Sequence, residues 1–367
     1  MFQHISTQLK NLYRQKAVQM AFKIALMVVL SMLLYWQLTS GLERLPWEEL
    51  THFWQDKFNA AHLIPILIVI ILMPLNWALE TQKWVNLMRP IEKVSFKKAF
   101  SAVLAGLTVS MFTPNRMGEY GGRMLMVSPE NRIRSVFATL VGSMSQWLVL
   151  VGGGLIGLLV LLMTAAVPAG FQFYAWTVLV LGMGILGFVG FCYFRLAWFT
   201  ERAMQWRLTR KWAQQLHKNL FRHYQLQELA QALKLSGLRY LVYSLQYFCL
   251  LACFGFEMSW LESFSAILFV FLLQTGLPIP PSAGLLARGS IAVWVFSWFA
   301  VDAAYPLIAL QSAVLASTFV LWLINVLLPA TVGGLFILKS MQPQTAKEVD
   351  LVVSAENTHV QEVAKPG

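Results

Sequence analysis

Charged residues are scarce in this chain. Only 12% of its 367 residues are charged and 57% are hydrophobic, whereas an ordinary soluble domain is about 25% charged. No charge occurs from Ser135 to Phe194, which is room for two membrane-spanning helices of about 20 residues each. The strands of a membrane β-barrel would instead appear as short segments in which apolar and polar residues alternate. The composition therefore predicts an all-α integral membrane protein and excludes a soluble domain.

Motifs of catalysis and metal binding are also lacking. The three cysteines, Cys192, Cys249 and Cys253, lie inside apolar runs without metal-ligand companions, and we interpret them as packing residues. The six histidines are scattered and form no metal-binding pair. There is no Walker loop, no HExxH motif and no nucleophile–base arrangement. We expect no cofactor and no metal, and neither ATP-driven transport nor hydrolysis has support.

Acidic residues are fewer than basic ones, with 17 Asp and Glu against 28 Lys and Arg. The basic residues lie beside apolar runs, which favours anionic lipid over nucleic acid as their partner. In the connection 195–239, tryptophans lie among arginines and lysines. We expect this segment to lie on the cytoplasmic side against lipid headgroups; a solvated linker with incidental aromatic residues is the alternative.

Apolar length and turn residues predict a cytoplasmic N-terminus, 1–16, and a transmembrane domain, 17–340. No cleavage pattern follows the first apolar run, so we expect it to remain as a span. The loop 40–59 is acidic and 80–98 is basic, which places 80–98 and both chain ends in the cytoplasm. The tail 341–367 is polar and predicted to be disordered. The predicted spans lie near 17–39, 60–82, 135–163, 172–194, 237–256 and 305–338.

Two further apolar runs, 99–115 and 263–277, are too short to cross a bilayer comfortably. Each ends in a Pro/Gly cluster that is followed by arginine: Pro114-x3-Gly118-x4-Arg123 and Pro280-x3-Gly284-x3-Arg288. We predict two inverted re-entrant hairpins, near 99–127 and 263–300, within a total of about 6–8 transmembrane helices. Inverted repeats of this kind surround midplane sites in transporters. The last run is long for one span, and Asn325, Pro329 and Gly333-Gly334 are candidates to break it.

Polar side chains cluster at the first breaker. A helix opened by Thr113 and Pro114 would carry Arg116, Glu119, Tyr120 and Arg123 on one stripe. Charge at membrane depth costs about 2.5–3.5 kcal/mol per residue on insertion scales, and a polar pathway would compensate for it. Helix N-termini and arginine both suit phosphate. We therefore predict that the two hairpin tips hold a lipid headgroup through Thr113, Pro114, Asn115, Arg116, Gly118, Glu119, Arg123 and Arg288, with Asn76, Glu80, Lys83, Tyr120, Ser282 and Gly284 as secondary candidates.

A purely structural interpretation stands beside this one. Thr113 and Pro114 would cap a helix, while Arg116, Glu119 and Arg123 would form an internal ion-pair ladder. Asn76, Glu80 and Lys83 form another stripe at i, i+4 and i+7, which we interpret as an interfacial polar face rather than a ligand contact.

Three motifs of the sequence resemble the transmembrane domain of the lysylphosphatidylglycerol synthase/flippase family. The resemblance spans roughly 17–340. Its motifs are Phe112-Thr113-Pro114-Asn115-Arg116-x-Gly118-Glu119-x-x-x-Arg123, Asn76-Trp77-x-x-Glu80-x-x-Lys83-Trp84 and the cluster 278–289.

The resemblance implies a multi-pass protein of the bacterial inner membrane with a flippase-like domain. In the namesake members that domain moves aminoacylated phosphatidylglycerol, and a separate soluble domain makes it. Only 340–367 follow Lys339 here, so we do not expect aminoacyl transfer. We expect a translocator of a phospholipid or a lipid-linked headgroup. The alternatives are a membrane enzyme using Glu119 as a general base, and a non-transporting scaffold or partner subunit working through 195–239.

Overall fold

The structure is a computed structural model that describes residues 63–113, 116–124, 126–164, 166–195, 202, 224–256, 258–276, 281, 284–299 and 307–340. Several predicted features lie outside the described residues. They are the N-terminus with the span 17–39, the acidic loop 40–59, most of the connection 195–239, the tail 341–367, and the candidate residues Pro114, Asn115 and Ser282.

Every regular element in the described ranges is a helix. The α-helices are α1 (Leu63–Met88), α2 (Phe96–Ser110), α3 (Gly118–Met124), α4 (Arg132–Met163), α5 (Ala169–Phe194), α6 (Leu226–Cys253), α7 (Trp260–Thr275), α8 (Leu285–Phe296), α9 (Leu307–Trp322) and α10 (Leu328–Ser340). Short 3₁₀ turns precede α4 and follow α8, and a π-helical segment, Leu323–Leu327, joins α9 to α10.

Four helical segments are long and apolar enough to cross a membrane: Leu63–Met88, Pro129–Met163, Ala169–Phe194 and Leu310–Leu338. Helix α5 leaves most of its apolar side chains exposed, among them Phe173, Val180 and Phe188. Such a surface is unfavourable in water and suits lipid. The prediction of an all-α, multi-pass membrane protein is confirmed at this level.

Helix α6 corrects one predicted boundary. It begins at Leu226, whereas the sequence placed this span at 237–256. The side chain of Glu228 accepts a hydrogen bond from the backbone N–H of Gln225 at 2.9 Å and so caps the first turn. Leu229, Ala232 and Ser236 then continue a buried stripe at helical spacing. Arg239 therefore lies inside the helix bundle, not at the end of a basic connection.

The final apolar run forms one continuous helical segment with a π-helical turn in it. Pro329 has no N–H group, so it cannot donate to the carbonyl group four residues earlier, that of Asn325. At this point the backbone N–H of Leu328 bonds to the carbonyl oxygen of Leu323, five residues back. The predicted breakers Asn325 and Pro329 thus change the winding of the helix without ending it.

The helices α2 and α3 form the first hairpin. The α2 helix has 15 residues and the α3 helix has 7, which corresponds to about 23 Å and about 10 Å, less than the ~30 Å of a bilayer core. Glu92, before the hairpin, accepts hydrogen bonds from the side chains of Ser128 and Asn131, after it. The chain therefore enters and leaves the hairpin at the same place.

These contacts also affect Glu92 itself, which lies outside the membrane-spanning segments. Partial burial acts to raise its pKa, but the hydrogen bonds from Ser128 and Asn131 and the nearby charge of Lys98 outweigh burial and lower the pKa. Glu92 is therefore a carboxylate at neutral pH, the form that can accept both hydrogen bonds.

Glycines allow the hairpin to close at backbone distance. A Cβ atom on Gly122 would lie 2.4 Å from the Cα atom of Gly106, and one on Gly118 would lie 2.5 Å from the carbonyl oxygen of Val109. On another side of α2, a Cβ atom on Gly333 of α10 would lie 2.1 Å from the carbonyl oxygen of Leu104. Helix α2 is thus held between α3 and α10.

Helices α7 and α8 form the second hairpin. The Gln274 side chain donates a hydrogen bond to the carbonyl oxygen of Arg288 at 3.0 Å, which joins the end of α7 to α8. The indole N–H of Trp322 donates to the carbonyl oxygen of Pro281 at 3.0 Å. The first bond thus holds α7 and α8 together, and the second fixes Pro281 against α9.

Two core clusters hold the bundle together. One is built mainly from α4, α6, α7, α8 and α9, and the other from α1, α2, α4, α6 and the last helical segment. Helices α4 and α6 contribute to both clusters, and α1 packs along α6. The polar residues of α1 and α6 consequently lie between the two cores.

We expect Gly122→Ala to destabilise the protein by about 1–3 kcal/mol, the usual cost of overpacking. The new methyl group would meet backbone atoms of Gly106 and the carbonyl oxygen of Ala105, which cannot move aside as a side chain can. A methyl group on the neighbouring Gly121 would have no atom within 4 Å, so Gly121→Ala is the matched control and should be neutral or slightly stabilising. Thermal unfolding in detergent measures both, and equal midpoints would contradict the close packing.

Candidate functional site

A buried carboxylate, Glu80, lies at the centre of the candidate site. It belongs to a polar face of α1 on which Asn76, Glu80 and Lys83 are only 1%, 5% and 2% exposed. The sequence interpretation of an interfacial polar face is therefore wrong for these residues. The sequence did not reveal the burial of these residues, because the apolar face of α1 points outward and its polar face points into the protein.

Three cations share the Glu80 carboxylate. The Lys83 ammonium lies 2.8 Å from Oε2, Arg123 Nη2 lies 2.8 Å from Oε1, and Arg239 Nη1 lies 3.0 Å from Oε2. These cations come from α1, α3 and α6 respectively. One acidic side chain thus links the first hairpin to two long helices.

Further hydrogen bonds fix the cations in place. Lys83 donates to the carbonyl oxygen of Gly142 and to the hydroxyl group of Ser236, both at 3.2 Å. Arg239 donates from Nε to Asn76 Oδ1 at 3.0 Å and from Nη1 to Gln146 Oε1 at 3.4 Å. Such bonds compensate for the water that these cations lose on burial.

Tryptophan rings lie beside two of the arginines. The Arg239 guanidinium carbon lies 5.1 Å from the ring centroid of Trp77, and that of Arg123 lies 5.9 Å from the ring centroid of Trp84. Both distances are within the range of a cation–π interaction. The indole N–H of Trp84 also donates to Thr139 Oγ1 at 3.1 Å, which holds its ring in position.

A second carboxylate, Glu119, extends the network toward the hairpin tip. It pairs with Arg123 through Nη2 and with Arg116, whose Nε atom lies 3.6 Å from Oε2. The predicted stripe of Arg116, Glu119 and Arg123 is therefore present as an ion-pair ladder. Its inner end meets Glu80, so the two stripes predicted separately form one cluster.

The tip differs from the predicted helix start. Helix α3 begins at Gly118, not at Thr113 and Pro114. Thr113 still satisfies the helix start, since its Oγ1 atom accepts a hydrogen bond from the backbone N–H of Gly118 at 2.7 Å. Arg116 lies just before α3 with a φ of 57°, a left-handed conformation that is strained for a residue with a side chain. Tyr120 is half-buried, and its hydroxyl group makes no hydrogen bond among the described residues.

The second hairpin approaches the same region through α6 and α9. Trp322, which holds Pro281, lies three residues before Asn325 on the same helical segment. Asn325 accepts a hydrogen bond from Asn76 Nδ2 at 2.9 Å, and Asn76 in turn contacts Arg239. Arg288 of the second hairpin and Arg116 of the first lie within electrostatic range of each other and of Tyr243 on α6.

The predicted residues therefore divide into three groups. Arg116, Glu119, Arg123, Glu80 and Lys83 form a single ionic cluster, which also includes Asn76. Thr113, Gly118 and Gly284 shape the hairpin tips, Gly284 as the acceptor of the Arg288 backbone N–H. Arg288 is near the cluster without an ion pair among the described residues.

Sequence reasoning missed Arg239, Gln146, Tyr243 and the partner role of Asn325. Arg239 was counted as one more base in a cytoplasmic connection. The sequence does contain a pattern that indicates a buried polar face on this helix. Polar residues recur at helical spacing in an otherwise apolar segment, at Ser236, Arg239, Tyr243 and Gln246.

Comparisons with protein-family models, with curated proteins and with solved structures find no significant match to this chain. The fold and the site define it as a helical membrane protein with a buried ionic cluster that joins its first hairpin to α1 and α6.

We expect Glu80→Gln to lower the free energy of unfolding by about 3–5 kcal/mol, the usual cost of removing one partner from a buried ion pair. The substitution would leave Lys83, Arg123 and Arg239 without the carboxylate that they share. Denaturant unfolding in detergent measures the change. Glu130→Gln, at an exposed position, is the control and should have almost no effect.

Adding Lys83→Met to Glu80→Gln should recover part of the loss, because one buried excess charge is removed with it. A double variant that is less stable than Glu80→Gln alone would contradict the ionic account of this cluster.

Proposed function

We propose that this chain is a flippase-like translocator of a phospholipid or lipid-linked headgroup in the bacterial inner membrane. The observation that carries the proposal is the ionic cluster around Glu80, buried among membrane-spanning helices and continued to the tip of a short hairpin. Ionisable residues at membrane depth are costly and mark substrate pathways in transporters.

The burial of the cluster favours a role beyond scaffolding. A buried ion pair is seldom more stabilising than well-packed apolar residues of similar volume. Glu80, Lys83, Arg123 and Arg239 nevertheless occupy the centre of the bundle, where α1, α3 and α6 meet. Selection for stability alone gives little reason to keep four charged side chains there.

Exposure increases along the cluster from its centre to the hairpin tip. Arg123 is 2% exposed and the side chain of Glu119 is 13% exposed, whereas the side chain of Arg116 is 40% exposed. A headgroup could therefore meet Arg116 first and then come near the inner carboxylates and arginines, while its acyl chains stay in the bilayer. We assign the substrate contacts to this end of the cluster.

Both hairpins are too short to cross and return, which supports a re-entrant arrangement. Glu92 and Ser128 join the two ends of the first hairpin, so we propose that it enters from and returns to the cytoplasm. The second hairpin would enter from the outside. Inverted hairpins that meet near the membrane centre are a recurrent architecture for transport sites.

The resemblance to the lysylphosphatidylglycerol synthase/flippase transmembrane domain supports the same proposal. Two of the segments that carry it, 76–84 and 112–123, are distant along the chain. They meet through the ion pair between Glu80 and Arg123. The motif residues thus serve one site.

Cysteine labelling tests the re-entrant arrangement. Lys93 and Glu130 are exposed positions on either side of the first hairpin, and Gly170 is exposed beyond the far end of α4. In a background without the native cysteines, Lys93→Cys and Glu130→Cys should react with an impermeant maleimide from the same side, and Gly170→Cys from the opposite side. Labelling of Lys93→Cys and Glu130→Cys from opposite sides would refute the re-entrant hairpin.

Leaflet-resolved lipid assays in proteoliposomes test the proposed activity. We expect Arg116→Ala and Glu119→Ala to reduce lipid movement by about tenfold or more, since each removes a charge-assisted contact worth roughly 1.5–3 kcal/mol. Unchanged lipid movement in both variants would contradict the proposed site. Formation of a new lipid product would favour an enzyme instead.

Arg116→Gly separates transport from scaffolding. Glycine adopts the left-handed conformation of Arg116 without strain, and the ion pair that it removes is long and partly exposed. We therefore expect Arg116→Gly to unfold at or above the temperature of the wild type while it loses lipid movement. A loss of stability without a loss of movement would support the structural role.

A further inference from the structure

The candidate site contains more positive charge than its own carboxylates neutralise. Within the part of the chain that the structure describes, five cations lie in or beside the cluster: Lys83, Arg116, Arg123, Arg239 and Arg288. The same group of residues contains two carboxylates, Glu80 and Glu119. Three positive charges are therefore in excess in this group of side chains.

The excess is concentrated near the hairpin tips. Glu80 lies within 3.0 Å of each of its three cations. By contrast, Arg116 reaches Glu119 only at 3.6 Å, and Arg288 has no acidic partner among the described residues. The Nε atoms of both arginines are buried and have no hydrogen-bond acceptor within the part of the chain that the structure describes. Buried arginine donors of this kind are normally satisfied, and an oxygen atom of a ligand would supply such an acceptor.

The two arginines come from different hairpins but share one neighbourhood. Pro281 of the second hairpin accepts a hydrogen bond from Trp322, and the hydrogen bond between Asn325 and Asn76 connects the helical segment of Trp322 to the cluster. Tyr243 packs its ring 5.1 Å from that of Phe271 of α7 and has Arg116, Arg239 and Arg288 in its surroundings. Mutual repulsion between Arg116 and Arg288 would be relieved by an anion that contacts both.

We infer that the site takes a phosphate group carrying about two negative charges, a phosphate monoester or a diphosphate, gripped by Arg116 of the first hairpin and Arg288 of the second. This inference rests on the proposed headgroup site. A monoester carries about −1.5 to −2 at neutral pH, which offsets most of the excess. A phosphodiester carries one negative charge and offsets less, while a zwitterionic or cationic headgroup brings positive charge into a region that already has too much.

The remaining members of the cluster have a positioning role. Glu80 holds Lys83, Arg123 and Arg239 within 3.0 Å, which commits these cations to a protein carboxylate. Arg116 and Arg288 keep donors free for the phosphate oxygens, which a guanidinium group can bind in pairs.

Equilibrium binding to the purified full-length chain in detergent tests this inference without requiring transport. The probes are phosphatidic acid as the monoester, phosphatidylglycerol as the diester, phosphatidylethanolamine as the zwitterion and lysylphosphatidylglycerol as the cation. We expect phosphatidic acid to bind about tenfold more tightly than phosphatidylglycerol, the effect of one additional charge-assisted hydrogen bond, and the other two to bind more weakly still. Equal affinity for phosphatidic acid and phosphatidylglycerol would overturn the inference.

Variants assign the preference to the two arginines. Arg288→Gln and Arg116→Gln should reduce the affinity for phosphatidic acid to that for phosphatidylglycerol, and Arg288→Lys should fall between Arg288→Gln and the wild type. Arg89→Gln, at an exposed position outside the cluster, is the matched control. Thermal unfolding without lipid checks that each variant is folded. Wild-type affinity in Arg288→Gln would remove the second hairpin from the site.

Free pyrophosphate distinguishes a lipid from a soluble ligand. We expect it to compete with phosphatidic acid only weakly, because it lacks acyl chains. Tight binding of pyrophosphate without binding of phosphatidic acid would overturn the lipid assignment. The proposed function and this inference can fail independently. If phosphatidic acid binds selectively but is not moved in proteoliposomes, translocation is contradicted and the inference stands. If lipids are moved without charge selectivity, the inference is contradicted and translocation stands.

Discussion

The structure depends on a single carboxylate that three cations share. Glu80 is buried in α1, and its partners come from α1, α3 and α6. Each of these charges would be unfavourable alone in the interior of a membrane protein. Together they fix the inner end of the first hairpin to two long helices, so that the position of the hairpin is determined by electrostatics as well as by packing.

Apolar packing and polar contacts have separate tasks in this fold. Backbone contact at Gly106, Gly122 and Gly333 brings α2, α3 and α10 together, as small residues do where helices meet in membranes. The polar groups are then placed between the two apolar cores. Asn76 links two of these polar groups, because it accepts a hydrogen bond from Arg239 and donates one to Asn325. The site thus lies beside both apolar cores.

Much of the architecture could be predicted from the sequence because apolar length is a strong signal. The helices α1, α4 and α5 and the last helical segment lie close to their predicted positions. The start of α6 was predicted too late, at 237 instead of 226, because Lys234 and Arg239 were interpreted as marks of a loop. A buried ion pair offsets part of the usual penalty on such residues, and a single sequence does not show where the partner lies.

The candidate site was predictable in its parts but not in its connections. The stripe of Arg116, Glu119 and Arg123 was found because a breaker precedes it. The stripe of Asn76, Glu80 and Lys83 was found too, but it was interpreted as interfacial, since helical spacing shows which residues share a face and not what that face contacts. The bond between Glu80 and Arg123 joins segments 43 residues apart. Long-range pairing of this kind follows from the packing of α1 against the hairpin and is absent from local patterns.

The contact between α10 and α2 restricts how the molecule can move. Gly333 allows the two backbones to touch, and Thr108 donates a hydrogen bond to the carbonyl oxygen of Ala330 at 2.6 Å. A conformational change that displaced α2 alone would have to separate this contact. A displacement of α2 would therefore carry α3 and α10 with it, and the change in winding at Leu323–Leu327 lies between this group of helices and α9.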